Sequence, residues 1–273
     1  MKNADSNKLL KFFLYFVLFT ILMPMVVLFL RIFVGRWPWP NLLPETYSLR
    51  SVREIFAPHT KAIPILFSSI LLSLSVAILS TTIGTMTARA LVFYDFTGKE
   101  LIDFLSIAPN LVPMTVFAMG VHVIFIKMSL ADTIPGVIIA HLIYTLPYSI
   151  NIMRNLTESI GIQMELQAYV LGASPLKSFI HITLPLLIPG ITASINMAYI
   201  TSFSQYFITL LIGGGKVRTF SVLMVPFIAK GDRVLSSAYS LIFVMSALLI
   251  FAVIDKIIKR LPYQIKKGKF DWN

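Results

Sequence analysis

The chain has 273 residues, of which 57% are hydrophobic and 13% charged, and its mean hydropathy is +0.83. That composition excludes an ordinary soluble globular domain, because a soluble helical protein of this length would carry many more charges on its outer faces. The net charge of +11 favours contact of the basic C-terminal segment, Lys256 to Lys269, with anionic membrane lipids and gives no indication of nucleic-acid binding. Without any cysteine, the chain has neither a disulfide framework nor a thiolate metal site.

Six apolar segments are long enough to cross a bilayer, and each is predicted to be a membrane-spanning helix. About 20 apolar residues are needed to cross roughly 30 Å of hydrocarbon. The predicted spans are 10–34, 63–88, 101–126, 134–153, 186–212 and 235–257. The sequence therefore predicts an all-α integral membrane protein with a single transmembrane domain over residues 1–273.

The basic residues predict how these spans are oriented. The first apolar run follows three lysines, as the core of a signal peptide does, but it is longer than such a core and no small-residue cleavage site follows it. We therefore expect a retained first helix. With both termini in the cytoplasm, the cytoplasmic segments hold 13 of the 23 basic residues. We predict that orientation, although Arg36, Arg50 and Arg53 in the first outer loop run against the rule.

Small residues recur on one face of the second predicted span, at spacings of three and four. They are Ser69, Ser73, Ala77, Ser80 and Gly84. Small side chains let helix backbones approach closely in lipid. This face is therefore predicted to pack against another helix rather than to contact a solute.

The third predicted span contains Pro109 and Pro113, on either side of Asn110. Proline frees backbone carbonyl groups, which a membrane helix tolerates where a neighbouring helix or a cavity satisfies them. We expect a bend here, with Asn110 beside a translocation path.

The sequence lacks the chemistry that an enzyme or a proton-coupled carrier needs. All twelve acidic residues fall in predicted loops or at helix ends, whereas proton-coupled carriers typically hold a carboxylate within the membrane, at a cost of roughly 2.5–3.5 kcal/mol. His122 and His141 have no carboxylate at ligand spacing, which favours hydrogen-bonded helix packing over metal binding. Because no phosphate-binding loop is present either, we expect no cofactor on this chain and an energy source on another one.

Residues 154–185, between the fourth and fifth predicted spans, interrupt the apolar pattern. The stretch QMELQAYVL predicts a short helix, and Gly172 follows it where a helix end needs a left-handed residue. Ser174 is placed to cap a second short helix, with Pro175 at its first position. Two short helices joined by a glycine turn make a compact protrusion suited to docking, although a structured loop with no partner has the same pattern.

The end of this protrusion is marked by Leu184-Pro185. Proline lacks a backbone donor and clashes with the carbonyl four residues before it in an α-helix. We therefore expect Leu184-Pro185 to stop the second short helix just before the fifth span.

The stretch QAYVLGASPLKSFIHITLPLLIPGI closely resembles the cytoplasmic signature loop of permease subunits of binding-protein-dependent ABC importers. That family pattern reads Glu-Ala-Ala, then Gly-Ala, then Leu-Pro and a further Pro. The matching positions here are Ala168, Gly172, Ala173, Ser174, Pro175, Phe179, Leu184, Pro185, Pro189 and Gly190. With six predicted spans around the loop, the resemblance extends over nearly the whole chain.

The resemblance implies a multi-pass permease of the bacterial plasma (inner) membrane that forms half of a pore. Its loop would form a coupling helix against an ATP-binding subunit dimer, which binds ATP and magnesium. A second permease, the same or different, and an extracytoplasmic solute-binding protein would complete the importer. The residues expected to contact the ATP-binding subunit are Glu165, Gln167, Ala168, Gly172, Ala173, Ser174, Pro175, Leu184 and Pro185.

One position departs from the family pattern. The expected Glu-Ala-Ala falls on Leu166-Gln167-Ala168, so leucine occupies the glutamate position. Glu165 precedes it, but a shift of one residue turns a side chain by about 100° around a helix. A general docking role is compatible with this change, whereas a specific ion pair from position 166 is not.

The fifth predicted span is the most polar, and we expect it to contribute to the translocation path. Ser202, Gln205 and Thr209 fall on one side at helical spacing, and Tyr206 follows Gln205. An amide within hydrocarbon requires polar partners, which favours Gln205 as a lining residue. Hydrogen bonding between helices, without solute contact, remains the alternative for all of them.

The segment from Ser202 to Arg233 looks more like permeases of the polyamine, thiamine, phosphonate and ferric-ion importers than like those for maltose-type sugars. Three alternatives stay open at this point: a stand-alone secondary transporter, a channel, or an ABC permease for sugars. A carboxylate within the membrane or a clear internal repeat would favour the secondary transporter, and the sequence has neither.

Overall fold

The structure is a computed structural model that describes residues 2–38, 40–41 and 43–259. The described part is 79% helical, which confirms the predicted helical fold class. Most of the C-terminal basic segment for which lipid contact is predicted lies outside the described residues.

The helices follow one another along the chain with a single small ribbon between the first two. They are α1 (Lys2–Ile32), α2 (Arg50–Ile55), α3 (Ala62–Phe93), α4 (Lys99–Leu111), α5 (Met114–Lys127), α6 (Ile134–Ile160), α7 (Gln163–Val170), α8 (Pro175–Ser178), α9 (Leu184–Phe203), α10 (Phe207–Gly213), α11 (Phe220–Ala229) and α12 (Arg233–Lys259). Residues Phe179–Thr183 form a π-helix between α8 and α9. The ribbon pairs β1 (Val34–Arg36) with β2 (Thr46–Tyr47), antiparallel.

Five helical stretches are long and apolar enough to cross a membrane, and a sixth is present if α4 and α5 count as one bent span. The five are Leu10–Ile32, Ala62–Phe93, Ile134–Ile160, Pro175–Phe203 and Arg233–Ile258. The described residues thus hold five of the six spans that the apolar pattern predicts, or all six if α4 and α5 form one bent span.

The third predicted span is sharply bent. The axes of α4 and α5 differ by 114°. The break falls at Val112 and Pro113, both with extended backbone, whereas Pro109 lies inside α4. The residue before a proline is disfavoured in the α conformation, which explains why the helix ends there.

The fifth predicted span is also divided. α9 ends at Phe203 and α10 begins at Phe207, so that Gln205 and Tyr206 lie in the break between them. The Gln205 carbonyl accepts hydrogen bonds from the hydroxyls of Thr209, at 2.9 Å, and Ser221, at 2.8 Å. These hydroxyls satisfy a backbone group that the break exposes, as apolar surroundings require.

The chain forms two compact units, Met1–Pro64 with Leu223–Ser246, and Ile65–Val222 with Ala247–Asn273. In the first, Arg50 pairs with Asp232 at 3.3 Å and the rings of Phe227 and Tyr239 stack 5.0 Å apart. In the second, a buried apolar cluster includes residues of α3, α5, α6 and α10.

Close packing of α3 on its neighbours confirms the prediction for its small-residue face. All five small residues are buried. A Cβ added at Gly84 would lie 2.7 Å from the Cβ of Ser149 in α6, so only glycine permits this approach. Ser80 shares a hydrogen bond of 2.8 Å with Ser149, and Thr81 one of 2.9 Å with Ser194 in α9. α3, α6 and α9 therefore form one packed group.

Candidate functional site

Residues 163–183, which we call the 163–183 segment, adopt the turn that their sequence predicts. Gly172 follows α7 with a φ of +86°, in the left-handed region that favours glycine. Its amide donates to the Tyr169 carbonyl at 3.0 Å, and the Ala173 amide donates to the Ala168 carbonyl at 2.9 Å. These bonds satisfy carbonyls at the end of the helix.

The second short helix of the segment begins as predicted. The side chain of Ser174 accepts a hydrogen bond from the Lys177 amide at 3.5 Å, and Pro175 occupies the first turn. Serine at the cap and proline just after it both suit a helix start. Thus the local rules account for the whole turn between α7 and α8.

Large apolar side chains at this turn are exposed. Val170 is 89% exposed and Leu171 87% exposed, while Leu176 on the other side of the turn is 68% exposed. We call these three residues the apolar tip. Single exposed apolar residues are ordinary, but a contiguous group of them commonly marks an interaction surface.

The Glu165 carboxylate points into the protein. The residue is only 4% exposed, and it accepts two hydrogen bonds from the guanidinium of Arg89 in α3, at 2.8 and 3.1 Å. The Thr183 hydroxyl donates to Oε1, and the Tyr169 hydroxyl donates to Oε2 at 3.3 Å. We call these four residues the Glu165 cluster; it ties α7 both to α3 and to the π-helix.

The Glu165 carboxyl is ionised at neutral pH. Burial raises the pKa of the Glu165 carboxyl, but hydrogen bonds from Arg89 and Thr183 and the charge of Arg89 outweigh this and hold the pKa below its ordinary value of 4.5. The Arg89 guanidinium also lies 5.0 Å from the centre of the Phe179 ring and 5.3 Å from that of Phe93. The cation is thus enclosed by two rings and a carboxylate.

The prediction that Leu184-Pro185 stops the second short helix is wrong. α8, the π-helix and α9 form one helical path, Pro175–Phe203. The Leu184 amide donates to the carbonyl of Phe179, five residues earlier, as in a π turn. This wider turn accommodates Pro185, since in a regular α-helix proline would clash with the carbonyl four residues before it.

The other residues predicted to contact a partner differ in exposure. Gln167, Ser174 and Pro175 are exposed, whereas Ala168 lies on the buried side of α7. Ala173, Leu184 and Pro185 are half-buried. Leu166, at the position of the family glutamate, is 43% exposed, because the turn of the helix that directs Glu165 inward directs its neighbour outward.

Two of the predicted path residues share a buried histidine. Nδ1 of His141 lies 2.9 Å from the Ser202 hydroxyl, and Nε2 lies 2.9 Å from the Thr209 hydroxyl. His141 and Thr209 are fully buried and Ser202 is nearly so. His141 therefore joins α6 to α9 and α10, which confirms its interpretation as a hydrogen-bonded packing residue.

The remaining predicted path residues are not part of this group. Gln205 is buried in the break between α9 and α10, and Tyr206 beside it is half-buried. Asn110 is exposed near the end of α4. Within residues 2–38, 40–41 and 43–259, no group of three or more His, Asp and Glu side chains is arranged to hold a metal ion.

Sequence reasoning missed Arg89 and Thr183 as partners of Glu165. Arg89 stands 76 positions before Glu165, and no local spacing rule connects them. The available signal was that Arg89 stands close to the end of an otherwise apolar span, where an unpaired cation is costly. A search for its carboxylate partner leads to the few acids near helix ends.

The sequence also matches known proteins. Residues 80–266, more than half of the chain, match the family described as binding-protein-dependent transport system inner membrane component. A spermidine/putrescine transport system permease PotC homologue of Mycoplasma pneumoniae is 25% identical over 87% of this chain and 86% of its own. A molybdate/tungstate transport system permease WtpB of Pyrococcus abyssi is 28% identical over 68% of this chain and 75% of its own.

A solved structure shares the fold. A chain of a bacterial ABC transporter involved in the import of the acidic polysaccharide alginate superposes with a TM-score of 0.71, covering 93% of this chain and 97% of that one, at 16% identity. Such low identity supports the fold alone, while the family match supports the function. This protein therefore belongs to the binding-protein-dependent transport system inner membrane components, and it is a multi-pass inner-membrane permease subunit of an ABC importer, not an enzyme.

Proposed function

We propose that this permease forms half of a translocation pore and that its 163–183 segment couples the pore to ATP hydrolysis on a partner. In this proposal residues 1–273 act as a single transmembrane domain with both termini in the cytoplasm, and the apolar tip contacts an ATP-binding subunit dimer that carries ATP and magnesium. A second permease, the same or different, and an extracytoplasmic solute-binding protein complete the importer. The family match supports these partner classes.

The exposure of the apolar tip is the observation that carries this proposal. Val170 and Leu171 are almost fully exposed beside a turn of fixed geometry. Large apolar side chains held next to each other in water are stabilised when a partner covers them. A groove on the ATP-binding subunit would cover these side chains, while the Glu165 cluster holds the segment in place from within.

Glu165 has a positioning role in this proposal. Its carboxylate is engaged by Arg89, Thr183 and Tyr169, so its charge is used within the chain. The exposed residues Leu166 and Gln167 then lie on the side of α7 that a partner can reach. Docking would depend on apolar contact at the tip rather than on an ion pair from α7.

For the translocation path we propose Asn110, Ser202, Gln205, Tyr206 and Thr209. Their position supports this to different degrees. Asn110 is exposed and Tyr206 half-buried, so both side chains are accessible to a solute in this chain. The hydroxyls of Ser202 and Thr209 are hydrogen-bonded to His141. They would contact a solute only after these hydrogen bonds break.

For the solute we propose the group of polyamines, thiamine, phosphonates and ferric ion, with a polyamine first. The relative from M. pneumoniae, which matches over most of both chains and is named for spermidine and putrescine, supports this order. An oxyanion is the second candidate, supported by the relative from P. abyssi, which is named for molybdate and tungstate. Isothermal titration of the solute-binding protein encoded beside this permease with spermidine and with molybdate separates the two.

The coupling role is tested by exchanging Gly172 for valine. No atom of the described residues lies within 4 Å of a Cβ at this position, so within this chain the change acts through the backbone. A β-branched residue held at φ +86° costs on the order of 1–3 kcal/mol, which the turn can avoid by changing shape. We expect affinity purification of the tagged variant from native membranes to lose the ATP-binding subunit that the wild type retains.

Gly215→Val is the matched control. Gly215 has a φ of +78° and also has open space around its Cβ, but it lies in the loop between α10 and α11. This variant carries the same backbone strain and is expected to retain the ATP-binding subunit. Normal recovery of that subunit and normal ATP-driven uptake with Gly172→Val would refute the proposed role of the turn.

A further inference from the structure

A strongly cationic cavity lies where α1 ends and α12 begins. Its volume is about 480 Å³. Five basic side chains line it, and Asp232 is the one acidic side chain among the described residues of its lining. The basic residues are Arg31, Arg36, Arg50, Lys230 and Arg233. We call this feature the cationic cavity.

The charges of the cationic cavity are only partly balanced. Arg50 pairs with Asp232 at 3.3 Å, and Arg36 with Glu45 at 3.7 Å. In the part of the chain that the structure describes, no carboxylate lies within salt-bridge distance of three cations of the lining, which are Arg31, Lys230 and Arg233. Like charges held close together repel one another, so a bound anion would stabilise this arrangement.

A second cavity lies beside the first, along the membrane-spanning part of α1. Its volume is about 530 Å³, and it runs between α1 and α12. Its lining on the α1 side is mostly apolar, with Met23, Val27 and Leu28. Arg31 and Arg233 line both cavities, so the two adjoin at these residues. We call the second cavity the apolar groove.

The two cavities together are complementary to an amphiphile, because one could hold an anionic headgroup and the other an apolar tail. Both α1 and α12 are apolar enough to span the membrane, so their junction lies where a span meets water. Trp37, whose ring lies 5.4 Å from the Arg31 guanidinium, lines the cationic cavity and suits the same level of the bilayer. A free phosphate would leave the groove empty, and an acidic protein surface would not reach into it.

We propose that the cationic cavity binds the phosphate of an anionic phospholipid and that the apolar groove holds one of its acyl chains. Arg31 and Arg233 contact the phosphate at the point where the two cavities meet. Under the proposed orientation, this site lies at the outer membrane surface.

Native mass spectrometry of the full-length chain, stripped of lipid in detergent, tests the proposal. The chain is titrated with phosphatidylglycerol and with phosphatidylcholine of the same acyl chains. We expect phosphatidylglycerol to bind at least tenfold more tightly. The double variant Arg31→Gln with Arg233→Gln should bind phosphatidylglycerol about 25-fold more weakly, at about fivefold per charge removed. Its affinity for phosphatidylcholine should be unchanged. Arg53→Gln with Arg218→Gln removes the same charge outside both cavities and should have no effect.

Further variants and competing ligands distinguish a phospholipid from a free anion or a protein surface in these cavities. Arg31→Lys with Arg233→Lys keeps the charges and should keep most of the affinity, which ties the loss in the glutamine variant to its missing charges; unchanged phosphatidylcholine binding shows that the glutamine variant is folded. Glycerophosphoglycerol, which is the headgroup without acyl chains, and inorganic phosphate should not compete at equal concentration. Equal competition by either would make this a free-anion site and overturn the lipid proposal. Unchanged phosphatidylglycerol affinity in the glutamine variant would overturn it too, and would favour an acidic protein surface as the occupant.

Discussion

Replacing Glu165 with alanine leaves the Arg89 guanidinium without its bidentate carboxylate. The two side chains are 6% and 16% exposed, so the pair is largely buried. Removing one partner of a fully buried pair costs about 3–5 kcal/mol, because the other charge is left uncompensated. Arg89 remains partly accessible to water and keeps its contacts with two aromatic rings, which reduces this cost. We therefore expect a loss of about 2–4 kcal/mol in the free energy that holds the 163–183 segment folded against α3.

Hydrogen–deuterium exchange of the permease in detergent, read by mass spectrometry, measures this loss. At tenfold per 1.4 kcal/mol, amides of the 163–183 segment should exchange about 30-fold to 700-fold faster in Glu165→Ala. Adding Arg89→Leu removes the uncompensated cation, so the double variant should lose less than the sum of the two single changes. Asp95→Asn, which breaks the exposed pair of Asp95 with Lys99, is the control and should leave exchange unchanged.

Two results would refute this reasoning. If Glu165→Ala exchanged at the wild-type rate throughout the segment, the carboxylate would not be what holds α7 in place. If the double variant with Arg89→Leu lost the full sum of both single changes, the two residues would act independently. The ion pair at 2.8 Å would then be a contact without energetic coupling.

Three further predictions concern stability. Acid should open the 163–183 segment only below about pH 4.5. The lowered pKa of Glu165 contributes stability that is full above the ordinary value of 4.5 and is lost as the pH falls through the folded pKa. A rise in amide exchange between pH 8 and pH 5, after correction for intrinsic rates, would contradict this. Gly84→Ala should lower the thermal unfolding midpoint in detergent, since its Cβ meets Ser149, whereas Gly120→Ala, whose Cβ meets no described atom, should not; equal midpoints would refute the packing argument. His141→Leu removes a hydrogen-bond partner of the buried hydroxyls of Ser202 and Thr209, and it should lower the free energy of unfolding by about 1–3 kcal/mol, with His141→Gln restoring part of the loss. A leucine variant as stable as the wild type in thermal unfolding would refute a stabilising role for this network.

Much of the fold and part of the site follow from local rules in the sequence. The positive φ of Gly172 and the cap at Ser174 are properties of a few neighbouring residues, and both are as predicted. The small-residue face of α3 follows from helical periodicity and is buried as predicted. The direction of the Glu165 side chain could not be predicted in this way, because its partner Arg89 is distant in sequence and only tertiary packing brings the two together.

The error at Leu184-Pro185 has a different origin. The rule that proline ends a helix is sound for regular α-helix geometry. Here the five residues before Leu184 adopt π-helical bonding, which removes the conflict and lets the helical path continue. Sequence patterns do not distinguish a π turn from a helix end, since both precede a proline in the same way.

A displacement of the apolar tip would reach the membrane spans by two routes. The first is the continuous helical path Pro175–Phe203, which begins beside the tip and becomes a span. The second is the Glu165 cluster, which joins α7 to α3 and so to the packed group of α3, α6 and α9. Glu165→Ala removes only the second route, so we expect this variant to retain the ATP-binding subunit and its ATP hydrolysis while uptake falls.

Gly172→Val distorts the tip itself and is expected to lose the ATP-binding subunit altogether. The two variants therefore separate transmission from docking, and the measurement is the ratio of solute taken up to ATP hydrolysed by the complex in liposomes. A lowered ratio in Glu165→Ala, with normal recovery of the subunit, supports transmission through Arg89. Loss of the subunit from both variants alike would mean that Glu165 acts only by keeping the tip in shape, and that the continuous helix alone moves the pore.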